Sequence, residues 1–390
     1  MSTIARIAAV AVLAGTTTAA ACTAHGAGPH LPLARASAPP TMSSSEPSTT
    51  NTLVTEQQLP TTAIPGRKPR PSILRQPYST AASPSASGNG KASSTPVNGR
   101  VYCSTGGGLP GTTSTIVSVN ADGSDRRPVT QGTYVGASRD GSRIWFTRPG
   151  GQLWRMKPDG STQEEVTTLR GEILTPAESP DGRVVAFTFA DPASQTPEVW
   201  AVDADGTHPR RLAKASRAAT SRSGRPIQGT VHPSWSPDGR TIAFSSTDSG
   251  RVEVWTMGAD GSDPHQLIDG SGPGYPDSNV PEFSLDGSRI VYWSGYEAEY
   301  GEVWTMRPDG SDRRRLTDTA DPASADNPTW SPDGRLVVFI SNRARNDQPR
   351  LGSPDVNAWV IPAGGGEPRL LVEGATYCAW APLSPPGRQS

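Results

Sequence analysis

Residues 235–244 read Trp235-Ser236-Pro237-Asp238-Gly239-Arg240-Thr241-Ile242-Ala243-Phe244. An aromatic residue leads into a Ser-Pro-Asp-Gly turn, and a run of β-branched and aromatic residues leads out. Pro presets φ for the turn, Gly supplies positive φ and Asp tolerates it, so the segment predicts a β-hairpin. The unit returns as Ser138-Arg139-Asp140-Gly141 before Ile144-Trp145-Phe146, and as Ser179-Pro180-Asp181-Gly182 before Val185-Ala186-Phe187. Two more copies are Ser284-Leu285-Asp286-Gly287 before Ile290-Val291-Tyr292 and Ser331-Pro332-Asp333-Gly334 before Val337-Val338-Phe339. The aspartates at 140, 181, 238, 286 and 333 stand 41, 57, 48 and 47 residues apart.

A second unit alternates with the first. Val254-Trp255-Thr256-Met257, Asp260-Gly261-Ser262 and Gln266-Leu267 make one copy. Others carry Asp122-Gly123, Asp159-Gly160, Asp205-Gly206 and Asp309-Gly310, and a degenerate one runs from Ala358-Trp359-Val360-Ile361 through Gly364-Gly365-Gly366 to Leu370-Leu371. Strands A and B come from the first unit and strands C and D from the second. Together they form a four-stranded antiparallel blade, and the spacing is that of a β-propeller with its length variation in loops. Trp154, Trp200, Trp255, Trp304 and Trp359 occupy one place in strand C. They read as packing between blades rather than as ligand platforms.

Six C–D hairpins face only five A–B hairpins with Asp-Gly. Arg100-Val101-Tyr102-Cys103 looks like a strand B without its strand A, and Tyr377-Cys378-Ala379-Trp380-Ala381-Pro382 like a strand A without its strand B. The fold class expected is therefore all-β: a six-bladed β-propeller over 99–382 whose first blade is closed by the C-terminal strand. Cys103 and Cys378 then fall on neighbouring strands, where a disulfide would staple the seam; the alternative is two buried thiols.

The chain ends read differently. In 1–21, Arg6 precedes a run of apolar and small residues from Ile7 to Ala21, a pattern that predicts an export signal peptide too short to span a bilayer comfortably. Cys22 directly follows three alanines, as in the lipobox of bacterial lipoproteins, although Ala19 stands where that motif favours Leu. Lipidation at Cys22 is the fate expected; the alternatives are plain secretion and a cytosolic protein with an odd N-terminus. Residues 22–98 are dominated by Ser, Thr, Pro, Ala and Gly and predict a disordered tether with a reach of roughly 50 Å. Residues 383–390 are expected to be a disordered tail. A net charge of −1 gives no basis for nucleic-acid binding.

Trp-Ser-Pro-Asp-Gly-Arg followed by a β-rich run and Val-Trp-x-Met-x-x-Asp-Gly-Ser resembles the WD-repeat-like units of the TolB propeller family. The resemblance covers about 99–382 and implies a protein of the cell envelope, while export and a membrane anchor are expected from the signal and Cys22. TolB proper carries an α/β domain ahead of its propeller, and here the tether takes that place, so TolB partners do not transfer directly. Prolyl-oligopeptidase-like peptidases share the repeat but pair it with a hydrolase domain, and no Gly-x-Ser-x-Gly elbow stands in strand-to-helix context here.

Oligogalacturonate-lyase-like propellers, a further resemblance, hold a metal through several histidines. His208 and His265 follow C–D turns whereas His232 lies in a strand A, so the three do not converge and no metal or cofactor is expected. What remains is a binding face. The B–C and D–A loops emerge opposite the Asp-Gly turns and carry Tyr275, Asp277, Tyr296, Glu297, Glu299, Tyr300 and Arg343. The starts of the A strands bring His232, Asn279, Asp326 and Asn327 to the channel mouth. The expected function is a non-catalytic binding or scaffold protein of the envelope that recognises a protein, peptide or glycan. The alternative is a carbohydrate-active hydrolase or lyase using Asp277, Asp326, Glu297 and Glu299.

Overall fold

The structure, a computed structural model, describes residues 98–106, 114–194, 196–220, 226–227, 229–269, 277–296, 300–318, 324–343 and 356–383. The expected signal peptide, most of the tether and most of the tail lie outside the described residues. Among those described, strands form six four-stranded antiparallel sheets and one two-stranded ribbon, Ala219–Thr220 with Pro226–Ile227. The sheets are the six blades of a β-propeller.

Five blades follow chain order from the innermost strand outward. The innermost strands are Thr133–Ala137, Glu172–Glu178, Thr230–Trp235, Asp277–Phe283 and Ala325–Trp330 in blades two to six. The first blade takes its innermost strand from the other end of the chain: Ala375–Ala381 pairs with Arg100–Thr105, which pairs in turn with Thr115–Asn120. Cys103 and Cys378 are register partners with Cα atoms 4.1 Å apart, and they form a disulfide.

The repeated turn is fastened by two side chains as well as by its glycine. In the third blade the Gly182 amide donates to the Ser179 carbonyl at 2.8 Å, the i to i+3 bond of a type I turn with Pro180 second. The Ser179 hydroxyl donates to Asp181 at 2.6 Å and accepts from the Val184 amide at 3.0 Å. Ser138, Ser236, Ser284 and Ser331 repeat both bonds in their own blades. The Asp therefore acts as a hydrogen-bond acceptor and not as a residue of positive φ. Only Gly141, Gly182, Gly239, Gly287 and Gly334 have φ near +70° there.

Each tryptophan of the third strand pairs with an aromatic residue of the second: Trp154 with Phe146, Trp200 with Phe187, Trp255 with Phe244, Trp304 with Tyr292 and Trp359 with Phe339. These pairs sit between blades, as the sequence suggested. One apolar cluster joins Ala186, Val199 and Ala201 of the third blade to Ile242, Phe244 and Met257 of the fourth. Another joins Val338, Ala358 and Val360 of the sixth blade to Val101, Val117 and Trp380 of the first. Hydrophobic burial runs around the ring, so each blade is stabilised through its neighbours.

Replacing both Cys103 and Cys378 by Ser should lower stability by about 2–5 kcal/mol in urea titration, given the length of chain the bond closes. Phe244→Ala should cost about 3–5 kcal/mol, because Phe244 is fully enclosed between two blades.

Candidate functional site

The innermost strands surround the axis, and each is bulged at one place. Blades two to six shift register between Thr133 and Gly136, Leu174 and Ala177, Val231 and Ser234, Asn279 and Glu282, and Asp326 and Thr329. Within each shift one non-glycine residue adopts positive φ: Tyr134 at 47°, Thr175 at 50°, His232 at 56°, Val280 at 53° and Asn327 at 46°. Such backbone is unfavourable for L-residues, most of all for β-branched Thr175 and Val280. Its recurrence at one step of the repeat marks it as part of the design of the axis. Tyr377 takes this place in the first blade, and its ring meets Tyr134 edge-on at 5.6 Å between centroids.

On the axis lies a cavity of about 160 Å³ to which all six blades contribute. Its walls run from the bulges to the Asp-Gly turns, where Arg139, Pro180, Pro237 and Leu285 border it. Arg139 spans the opening: from the second blade its guanidinium donates to the Pro237 carbonyl at 3.2 Å and the Leu285 carbonyl at 3.0 Å, on blades four and five.

The most consequential wall residue is Glu282. One of its carboxylate oxygens accepts from the Thr329 hydroxyl at 3.0 Å and from the Trp330 amide at 2.9 Å. The Trp330 indole donates to the Glu282 carbonyl at 3.2 Å. No lysine or arginine among the described residues forms an ion pair with Glu282, and burial pushes its carboxyl from 4.5 to about 7. Burial likewise pushes Asp326 from 3.8 to about 6, against the Asn327 amide that donates to it at 2.7 Å. It pushes His232 down from 6.5 to about 4, while a hydrogen bond to Asn279 pulls weakly the other way. Glu282, Asp326 and His232 are each partly buried on the inner strands. The Tyr377 phenol is raised above its ordinary value by burial, and the nearby Glu282 carboxylate raises it further.

Of the residues singled out in the sequence, His232, Asn279, Asp326 and Asn327 do stand on the inner strands around the axis. His232 and Asn327 line the cavity itself. Asp277 begins the inner strand of the fifth blade and lies 3.8 Å from Arg251. Arg343 lays its guanidinium over the Trp359 ring at 5.3 Å. Tyr296 and Tyr300 are register partners at the end of the fifth blade's central hairpin. Cys22, Tyr275, Glu297 and Glu299 fall outside the described residues. His208 bonds Asp203 and His265 bonds Thr256, both at the outer edge of their blades and remote in the fold from His232.

Sequence reasoning missed Glu282, Arg139 and Tyr377, although the repeat contains the signal. Glu282 stands where the other blades carry Gly136, Ala177, Ser234, Thr329 and Ala379. Arg139 stands where they carry Pro180, Pro237, Leu285, Pro332 and Pro382. Each is the one charged residue in its column.

The family model for the TolB beta propeller domain matches residues 101–360. An uncharacterized protein of Agrobacterium fabrum is 30% identical over 171 residues, which are 42% of this chain and 52% of that protein. The Tol-Pal system protein TolB of Anaeromyxobacter dehalogenans is 30% identical over 142 residues, 36% of this chain and 28% of its own. The chain thus spans about half or less of the length of these relatives. The crystal structure of TolB from Acinetobacter baumannii superposes with a TM-score of 0.56 at 19% identity, covering 73% of this chain and 67% of that one. At that identity the likeness is one of fold.

The buried groups set a pH dependence. Glu282 and Asp326 hold protons more tightly folded than unfolded, so their stabilisation is full in acid and is lost as pH rises, through 4.5 to about 7 and 3.8 to about 6 respectively. His232 works the other way, and stability rises with pH between about 4 and 6.5. Above pH 6.5 the Glu282 contribution stands alone of the three. Urea titrations should therefore show the parent protein losing stability between about pH 6.5 and 8, and Glu282→Gln flat over the same interval.

Proposed function

The chain belongs to the TolB β-propeller domain family, and from that premise we propose that it is an exported, non-catalytic recognition scaffold of the cell envelope. The observation that carries this reading is the Cys103–Cys378 disulfide across the ring seam. Such a bond persists in an oxidising compartment, in keeping with an export signal over 1–21. Lipidation of Cys22 anchors the chain at the outer face of the membrane, and the Ser/Thr/Pro-rich segment holds the propeller clear of it. Relatives named for the Tol-Pal system support an envelope setting.

In this reading the partner is a protein, peptide or glycan that meets the mouth of the channel where the inner strands begin. Asn279, Asp326, Asn327 and His232 supply a fixed polar rim there. Tyr275, Asp277, Tyr296, Glu297, Glu299, Tyr300 and Arg343 extend it over the surrounding loops. The bulged inner strands suit recognition, because side chains on a backbone already fixed lose little freedom when a partner docks.

Crosslinking on intact cells, followed by purification of the tagged chain, tests the face. An Asn279→Ala/Asp326→Ala double variant should lose its partner by about tenfold or more, a cost of about 1.4 kcal/mol. Arg127→Ala, on the outermost strand of the first blade, should retain it. Equal recovery with both variants would remove the loop face from the proposal. Mass spectrometry of the mature N-terminus should show a diacylglyceryl group on Cys22, and an unmodified N-terminus would mean secretion instead.

A further inference from the structure

We infer that the axial cavity is a cation site in which Glu282, with Tyr377 near it, takes the ammonium or guanidinium end of a ligand that enters past Arg139. The site goes beyond the loop-face reading, because it opens at the opposite end of the axis, among the Asp-Gly turns.

Size is the first constraint. The cavity of about 160 Å³ is close to the engineered cavity of about 150 Å³ that holds benzene. It admits the end of one extended side chain or a small amine, and no folded partner.

Charge is the second. A carboxylate enclosed by protein is costly without a counter-charge. Glu282 has two hydrogen-bond donors on one oxygen, from Thr329 and Trp330, and no cation. The cation on the cavity wall, Arg139, is fastened to the Pro237 and Leu285 carbonyls at the mouth.

The third is the imidazole of His232. Nδ1 of His232 is buried with no hydrogen-bond partner among the described residues. His232 lines the same wall with its imidazole held toward the neutral form by burial, so it does not oppose a cation there. A cationic N–H group gives the Glu282 carboxylate the counter-charge it lacks, with the Tyr377 side chain near it. An anion or a neutral apolar group would leave that carboxylate as it is.

Every blade has been given a part in this. Glu282 itself comes from the fifth and Thr329 and Trp330 from the sixth. Tyr377 comes from the first, Arg139 from the second and His232 from the fourth. The third blade offers Glu178, which is already held by Arg143 and by the Trp145 indole. A side chain of one blade, in a column otherwise filled by Gly, Ala, Ser and Thr, therefore supplies the only uncompensated carboxylate on the wall. The space that lets a ligand reach it comes from its five small counterparts.

The test is a titration of the full exported chain, disulfide intact, with n-butylammonium, propylguanidinium and n-butanol. The Trp330 indole N–H, which bonds the Glu282 backbone, serves as the NMR reporter. Saturable shifts are expected with either cation and not with the alcohol, and the comparison of the two cations separates lysine-type from arginine-type ligands. Affinity should fall by about tenfold or more in Glu282→Gln, and likewise in the parent protein on moving from about pH 8 to about pH 5.5 as Glu282 gains its proton. Arg139→Ala should bind the cations at least as tightly as the parent and faster. Binding of butanol as tight as that of the cations, or unchanged affinity in both the Glu282→Gln and low-pH arms, would overturn the cation site. Slower association in Arg139→Ala would overturn entry past Arg139. Should Glu282→Gln not fold, the pH arm on the parent chain decides alone. Loss of the loop-face partner leaves this titration untouched, so the two readings fail separately.

Discussion

The pairing of Arg100–Thr105 with Ala375–Ala381 is the constraint on which the rest of the ring depends. Each blade buries its apolar faces against two neighbours, so an open ring would expose two of them and leave unpaired strand edges. The cluster that holds Val338 and Val360 of the sixth blade against Val101 and Trp380 of the first exists only when the seam is shut. Closure joins residues 275 positions apart in the chain. Loop entropy opposes so distant a contact, and the disulfide offsets part of that opposition by restricting the unfolded chain. The Trp380 indole reinforces the seam by donating to the Asn98 carbonyl at 2.6 Å.

Closure also fixes the axis. Because the six inner strands cannot spread, five non-glycine residues remain at positive φ in the bulges. Strain of this kind persists only where the surroundings over-determine it. The result is a narrow shaft whose polar groups have fixed positions. In that setting the buried Glu282 rises to about 7 and His232 falls to about 4, so the interior approaches neutrality by proton exchange rather than by ion pairing.

The repeat made the architecture readable. Ser-x-Asp-Gly at five places, the tryptophan column and the split terminal strands implied six blades, and Cys103 opposite Cys378 implied the staple. The mechanism of the turn was less visible: the Asp side chain accepts from the Ser hydroxyl and does not need left-handed backbone. The inner-strand positions of His232, Asn279, Asp326 and Asn327 were legible because strand order alone sets them. Glu282 was not, since its meaning comes from the depth of its place on the axis, and depth is set by a bulge that the hydrophobic pattern does not announce. Arg139 was hidden for a different reason. Its bonds reach two blades distant in sequence, and nothing in its own repeat predicts them.

Hydrogen exchange of the native chain tests closure most directly. If the ring is shut as described, the amides of 100–105 and 375–381 exchange as slowly as the central strands of the other blades, through the same global opening. Fast exchange confined to these two segments, with the other blades protected, would contradict a ring closed by its own C-terminal strand.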